Sequence, residues 1–454
     1  MPRSSAEGIA PSRRLDAGSV VEWVLIVLGW ALLFALPHSI VGDDNPRFQS
    51  LSLLLETGRI QSPRYSLIGP VLAAPFYLIG KAFGSPVVGV LNYDPALFAL
   101  MLVALYLLLR PHWPGAGPRR FLLLLVAASM FPRHLLHFGA EAFTACFAAV
   151  GLALVAFAAK PLAEWGGWGV AILGAVNTPA TLAGVGLASL QRCWTDRRLR
   201  SLLVPVAALA VYFLDLYVRV GSFHNAGYTG TAGARTALPY SGLTDWSYPV
   251  FFGLLSLTLS FGKGLAFFAD GLCLLPWLSR LEMPARVQVV LRLWLAFLLG
   301  ILVVYSHWWG WYGGFGAGPR FMLFAAVPAS LLLAQLLVRP PEHWFGTLCA
   351  LALVALACWS NIATTVFENG GADVCTANNY AVESFCWYTP ELSVLWNPFV
   401  GSVHAWDNLP TASWLLVAYG AAVFLVLTRE LWTRLVAQLR SAWVASEATK
   451  RWSF

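Results

Sequence analysis

Long apolar runs separated by short polar stretches make up this chain from end to end. Most of them approach the ~20 residues that a helix needs to cross a bilayer, which predicts an all-α polytopic membrane protein. Residues 20–41 form the first run. It is too long for a secretion signal, has no small-residue cleavage site and leads straight into further runs. Residues 66–83 are interrupted by Pro70, Pro75 and glycines, and read as an outer juxtamembrane helix rather than a span. Further spans are expected at 87–109, 121–136, 141–159, 201–220, in a segment ending near Trp277, and at 288–305, 320–338, 344–366 and 413–427. With the first run that makes about ten spans. Residues 166–190 contain Asn177, Pro179 and several glycines, and read as two half-helices in a re-entrant hairpin, since irregular backbone at membrane depth must be buried in protein or line a cavity.

Positive charge fixes the orientation. Arg3, Arg13 and Arg14 precede the first span, and further basic residues gather at 110–120, at Lys160, at 192–200 and at Arg280 and Arg286. Placing all of these on the cytoplasmic side leaves outer loops at 42–86, 221–248, 306–320 and 367–412. Residues 1–428 then form one transmembrane domain. Residues 429–454, where Trp, Leu and Arg alternate, read as a cytoplasmic interfacial helix. Both termini are expected in the cytoplasm of a cell with its plasma (inner) membrane around it. Composition agrees: of 454 residues 58% are hydrophobic and 11% charged, which excludes an ordinary soluble fold. The net charge of +7 sits largely in inter-span loops, so it sets topology and does not imply a nucleic-acid partner.

Sorting polar groups by side directs the chemistry outward. The inner face offers mostly Arg, with no glycine-rich phosphate cradle. The outer face gathers the pair Asp43-Asp44, then Arg64, Glu141, Lys263, Arg320 and the run His307-Trp308-Trp309-Gly310-Trp311-Tyr312. Carboxylates at a membrane edge are costly unless wet, paired or at work on a substrate. Sugar transfer from a lipid-linked donor needs such a base, fixed cations for the departing phosphate, and aromatic faces against sugar rings. Each residue also has a plainer reading. Asp43 or Asp44 would cap the helix begun by Asn45-Pro46. Lys263, Arg320 and Arg64 would anchor to headgroups, Glu141 would complement a helix dipole with Arg133, His134 and His137 beside it, and most of the 21 Trp would form interfacial belts. Lone His224 and His307 have no second ligand at metal-binding spacing, so no metal site is assigned, and a divalent ion has no support. Of seven cysteines only Cys375 and Cys386 share a polar loop. An oxidising compartment permits that disulfide without requiring it.

The order of these pieces carries a resemblance. Gly42-Asp43-Asp44 follows the first span, then come a proline-broken segment (63–84), Phe131-Pro132-Arg133-His134 with Glu141, Gly262-Lys263-Gly264, Trp311-Tyr312-Gly313-Gly314 and Gly318-Pro319-Arg320-Phe321. Over residues 42–328 this resembles the GT-C superfamily of multi-pass glycosyltransferases, especially the bacterial relatives of protein O-mannosyltransferases and aminoarabinose transferases (family 39-like). The resemblance implies an enzyme that moves a sugar from a polyprenyl-phosphate donor to a glycan, lipid or protein acceptor outside the membrane. Asp43 matches the catalytic aspartate and Asp44 takes a glutamate's position. The arginine usual in the re-entrant segment is replaced here by Asn177. Donor phosphate would fall to Arg320, Lys263 and Arg64, and sugar or acceptor contacts to Glu141, His307, Trp309, Trp311 and Tyr312. Two rivals stand beside it: a lipid-linked glycan polymerase or ligase, which leans on Arg and His, and a transporter or flippase, which would show inverted repeats and midplane charges.

Overall fold

The structure is a computed structural model that describes residues 17–62, 64–197, 199–224, 231–314, 318–368, 372–400, 406–407 and 409–451, with only the backbone course described at 196, 372–373 and 445–451. Arg3, Arg13, Arg14 and Arg198 lie outside the described residues, as do Pro63 and parts of the loops at 221–248, 306–320 and 367–412 that are expected outside.

The first apolar run becomes α1 (Ala17–Ala35), which stops ahead of Pro37 because a residue preceding proline is pushed out of the helical region. Gly42, at φ +52°, then turns the chain into α2 (Asp44–Thr57). Pro46 is tolerated there because first-turn N–H groups have no intrahelical partner. The proline-broken stretch forms two short helices, α3 (Ile68–Leu72) and α4 (Ala74–Ala82), as its punctuation implies. After them α5 (Pro86–Leu91) and α6 (Tyr93–Leu109) make one long apolar element.

The single span expected at 121–136 is instead two pieces, α7 (Gly117–Ala127) and α8 (Phe131–His134). Ser129 breaks it: its hydroxyl donates to Leu125 O at 2.6 Å and accepts the Phe131 N–H at 3.1 Å, replacing backbone bonds of the helix. Next, α9 (Ala140–Phe157) packs along α10 (Pro161–Asn177), and a tight turn at Pro179–Thr181 leads to α11 (Leu182–Asp196). The expected hairpin is present, but its arms of 17 and 15 residues run about 25 and 22 Å, longer than half-helices.

After α12 (Leu203–Val220), the expected span ending near Trp277 is replaced by α13 (Val250–Leu259), α14 (Leu265–Phe268) and a 3-10 stretch, Asp270–Arg280. Gly262, Gly264 and Pro276 account for the breaks. Three long elements follow: α15 (Ala285–His307), α16 (Ala326–Val338) behind a 3-10 turn at Arg320–Ala325, and α17 (Trp344–Val366). The stretch between α17 and the last helix holds α18 (Ala372–Tyr380), α19 (Glu383–Tyr388) and α20 (Asn397–Val400). Finally α21 (Thr411–Arg451) is one continuous helix of 41 residues. Residues 429–451, expected as a cytoplasmic interfacial helix, continue this helix without a break, because neither Gly nor Pro occurs between 421 and 451 to end it.

Among the described residues eight helical elements are long and apolar enough to cross a membrane, against the ten expected. The element Arg320–Val338 is 89% buried and Leu199–Val220 only 22%, so α16 is the central post and α12 a perimeter helix. Val206, Leu209 and Leu214 of α12 are exposed, a surface suited to lipid rather than water.

The two ends of the bundle differ in chemistry. At one end the basic loops meet acids: Arg119 and Arg120 reach Glu22 at 2.8 and 3.2 Å, Arg120 reaches Glu430 at 2.8 Å, and Arg192 and Arg200 reach Glu164 at 3.3 and 2.5 Å. The opposite ends of α1, α9, α10, α12, α15 and α16 converge on Asp43 and Arg320.

Candidate functional site

Asp43 stands at the start of α2 but makes no capping bond with its side chain. Its carboxylate is taken up elsewhere. Oδ1 accepts the Tyr65 hydroxyl at 2.6 Å, and Oδ2 accepts Arg320 Nη2 at 2.8 Å. The simple capping reading therefore fails for Asp43.

Tyr65 is held from below by a perimeter helix. Arg219 near the end of α12 is 5% exposed, binding Asp215 Oδ2 at 3.0 Å and Ser62 O at 2.8 Å. Asp215 Oδ1 in turn accepts the Ser66 hydroxyl at 3.1 Å, so both flanks of the Arg64-Tyr65 pair are tied to one ion pair. The guanidinium of Arg47 lies 4.4 Å from the Tyr65 ring centre and that of Arg64 5.6 Å, within cation–π range.

Asn177 does structural work at the hairpin tip. Its Oδ1 accepts the Gly69 N–H at 3.0 Å and its Nδ2 donates to Ala140 O at 3.2 Å. The tip thus clasps α3 to the start of α9 and places Glu141 at the site.

Arg320 comes from a glycine-rich turn. Gly313, Gly314 and Gly318 sit at φ +71°, +83° and +69°, and a Cβ on Gly313 would stand 2.8 Å from Arg320 Cγ, so the arginine lies across a residue that needs to be glycine. Lys263, 2% exposed, donates to Gly314 O at 2.8 Å and Gly318 O at 3.1 Å. Its ammonium braces the turn that presents Arg320. The cation nearest Glu141 is Arg320, whose Nε is 3.8 Å from Glu141 Oε1, whereas Arg133 pairs with Glu368.

These groups open onto a cavity of about 710 Å³. Asp43, Tyr65, Glu141 and Arg320 line it together with Arg64 and Arg47, Asn177–Pro179 form part of its wall, and Tyr305, Trp308, Trp309 and Tyr312 give it an aromatic side. Asp245, Tyr380 and Glu383 also line it. Several expected contacts fall behind this wall. Trp311 is fully buried among Tyr248 and Trp387, while Trp309 and Tyr312 on either side of it line the cavity. His307, exposed at the end of α15, donates from Nδ1 to Tyr248 O at 2.7 Å and does not line the cavity. Lys263 and Asp44 also do not line the cavity. Asp44 is 6% exposed and faces Arg47 at 3.6 Å and His137 at 3.8 Å.

The electrostatics separate the two neighbouring aspartates. Burial pushes the Asp43 carboxyl up, but Arg320, the Tyr65 hydrogen bond and Arg47 outweigh it and hold its pKa below the ordinary value. Burial pushes Asp44 up to about 6, with Arg47 opposing and Glu141 adding. Across the cavity burial pushes Glu383 up to about 7, against the pull of Lys263, and pushes Lys263 down to about 7, against the pull of Glu383.

Cys375 and Cys386 form a disulfide that ties α18 to α19, the elements that carry the lining residues Tyr380 and Glu383. Among the described residues no group of three or more His, Cys, Asp or Glu is placed to hold a metal ion. Tyr65, Asp245, Tyr380 and Glu383 were not singled out by sequence. Each lies in a polar stretch between apolar runs, whose approach to Asp43 or the cavity depends on tertiary contacts, and only the cationic flank of Tyr65, next to Arg64, gave a local hint.

No protein-family model and no curated protein sequence matches this chain. Among solved structures its fold is similar to ArnT from Cupriavidus metallidurans, both bound to undecaprenyl phosphate and in the apo state. Each aligns with a TM-score of 0.49 and 16% sequence identity, over 92% of this chain and 77% of that chain.

Proposed function

We propose that this protein is a membrane glycosyltransferase that moves a hexosyl or pentosyl group from a polyprenyl-phosphate donor to an acceptor hydroxyl on the extracytoplasmic face. The observation that carries the reading is Asp43, fixed by Tyr65 and Arg320 on the wall of a cavity with an aromatic side. A general base beside a fixed guanidinium is what displacement of a phosphate from a sugar needs. The acceptor O–H gives its proton to the Asp43 carboxylate while its oxygen bonds to the anomeric carbon. The bond from that carbon to the phosphate oxygen breaks, and its electron pair leaves with the polyprenyl phosphate.

Arg320 is the phosphate ligand in this scheme and Arg64 a second cation on the same cavity. Lys263 acts through the turn it braces. Trp308, Trp309 and Tyr312 would stack on the sugar. The acceptor is an envelope glycan, lipid or protein. The purified protein, incubated with a panel of polyprenyl-phosphate sugars, should release polyprenyl phosphate only with an acceptor present. Mass spectrometry of cell-envelope glycans with and without the protein identifies the product. No change in envelope glycans and no lipid-phosphate release would reject the reading.

A further inference from the structure

The Asp43–Arg320 pair is the centre of the proposed site and also an obstacle to its chemistry. Both Asp43 oxygens are occupied, by Tyr65 at 2.6 Å and Arg320 at 2.8 Å. A carboxylate held in this way is a weak base, and a guanidinium held in this way has fewer donors left for a phosphate. Arg320 is not locked on its other side. Its Nε is buried without a hydrogen bond among the described residues, and Glu141 Oε1 stands 3.8 Å away, beyond hydrogen-bond distance. The side chain crosses Gly313, where no Cβ blocks it, and its guanidinium lies 5.0 Å from the Phe321 ring centre. The side chains of Arg320 and Asp43 are 32% and 34% exposed, so the pair faces the cavity into which a donor phosphate would come.

We propose that Arg320 exchanges partners during turnover: it releases Asp43 to take the donor phosphate, so that the lipid-linked phosphate itself unmasks the base. The inference rests on the glycosyl-transfer reading above. Charge follows the exchange. The donor phosphodiester carries one negative charge, which replaces that of Asp43 beside the guanidinium. During transfer the acceptor proton neutralises Asp43, and the leaving phosphate monoester gains charge, so Arg320 stays with the phosphate. Once Asp43 gives its proton to water, its carboxylate competes again for Arg320 and helps expel the lipid phosphate. The donor therefore binds before the acceptor is activated.

Equilibrium binding of undecaprenyl phosphate to the full-length protein in detergent micelles tests this, with undecaprenol as the control lipid. If Arg320 must leave Asp43, then Asp43→Asn removes a competitor and binds the phosphate tighter than wild type, by about threefold or more for a pair of this exposure. Arg320→Gln binds weaker, and in an Arg320→Gln background Asp43→Asn gives no gain. Tyr65→Phe leaves the Asp43 charge in place and gives no gain either. Asp43→Ser repeats the test where Asn disturbs the fold, and thermal unfolding confirms folded variants. Phosphate-dependent binding that Asp43→Asn does not tighten overturns the exchange while sparing the functional reading. A gain that persists without Arg320 also overturns it, since plain charge repulsion would then suffice. Equal binding of the phosphate and the alcohol by every variant overturns both.

Discussion

The Tyr65 hydroxyl lies 2.6 Å from Asp43 Oδ1, a hydrogen bond across 22 residues of chain that fixes the carboxylate against the wall of the cavity. Tyr65 is itself fixed by its neighbours Ser62 and Ser66, both bound into the Arg219–Asp215 pair of a perimeter helix. Removing the phenol leaves the base in place but frees one oxygen. Tyr65→Phe should lower kcat/KM by about tenfold, the worth of one hydrogen bond to a charged group. The pH profile carries the sign. Asp43 works as a carboxylate and its pKa is held low, so activity persists above that pKa and falls as pH drops through it. Loss of the Tyr65 bond moves this acid limb to higher pH. An unmoved limb would mean that Asp43 is not the titrating base.

Asp44 gives the opposite result on stability. Its folded pKa is raised to about 6, so between about 4 and 6 the folded state holds more protons than the unfolded chain. Stability on this account is greatest below pH 4, falls as pH rises to 6 and is level above. Asp44→Asn should therefore raise Tm at pH 7.5, by up to about 3 kcal/mol in free energy, and give no gain at pH 4. Thermal unfolding at both pH values checks it.

Lys263 tests positioning apart from contact. Its ammonium braces Gly314 and Gly318 ahead of Arg320 and does not line the cavity. Lys263→Met should lower affinity for a polyprenyl phosphate about tenfold through a displaced Arg320, the scale of two buried carbonyls losing their donor. If Lys263 instead touched the phosphate, the loss would survive in an Arg320→Gln background. Positioning through Arg320 means that it disappears there.

The disulfide between Cys375 and Cys386 ties together the two elements that bring Tyr380 and Glu383 to the cavity. Replacing both cysteines by serine should destabilise that strap by about 3 kcal/mol, the loop-closure value for a short crosslink. Hydrogen exchange should rise across residues 372–400 and stay unchanged in α9 and α15.

Sequence made the apolar elements legible because a span needs a long run without charge, and 344–366 is recovered residue for residue as Trp344–Val366. It missed the Ser129 break, where one hydroxyl substitutes for backbone bonds, and it divided α21 at a change of composition that does not disturb helical hydrogen bonding. Asp43, Arg64, Glu141, Arg320, Trp309 and Tyr312 were all named from sequence, and all line the cavity. His307, Trp311, Lys263 and Asp44 were named for chemistry they do not face. Side matters in a turn: Trp309 and Tyr312 line the cavity, while Trp311 between them is buried in the core. Tyr65 was invisible because its role depends on Asp215 and Arg219, about 150 residues away.

The most direct measurement is sugar transfer by Asp43→Asn from a labelled polyprenyl-phosphate donor, with donor binding followed in the same preparation. The account expects donor binding to persist and transfer to fall by about 100-fold or more, the contribution of a general base. Transfer at the wild-type rate by a folded, donor-binding Asp43→Asn protein would contradict it.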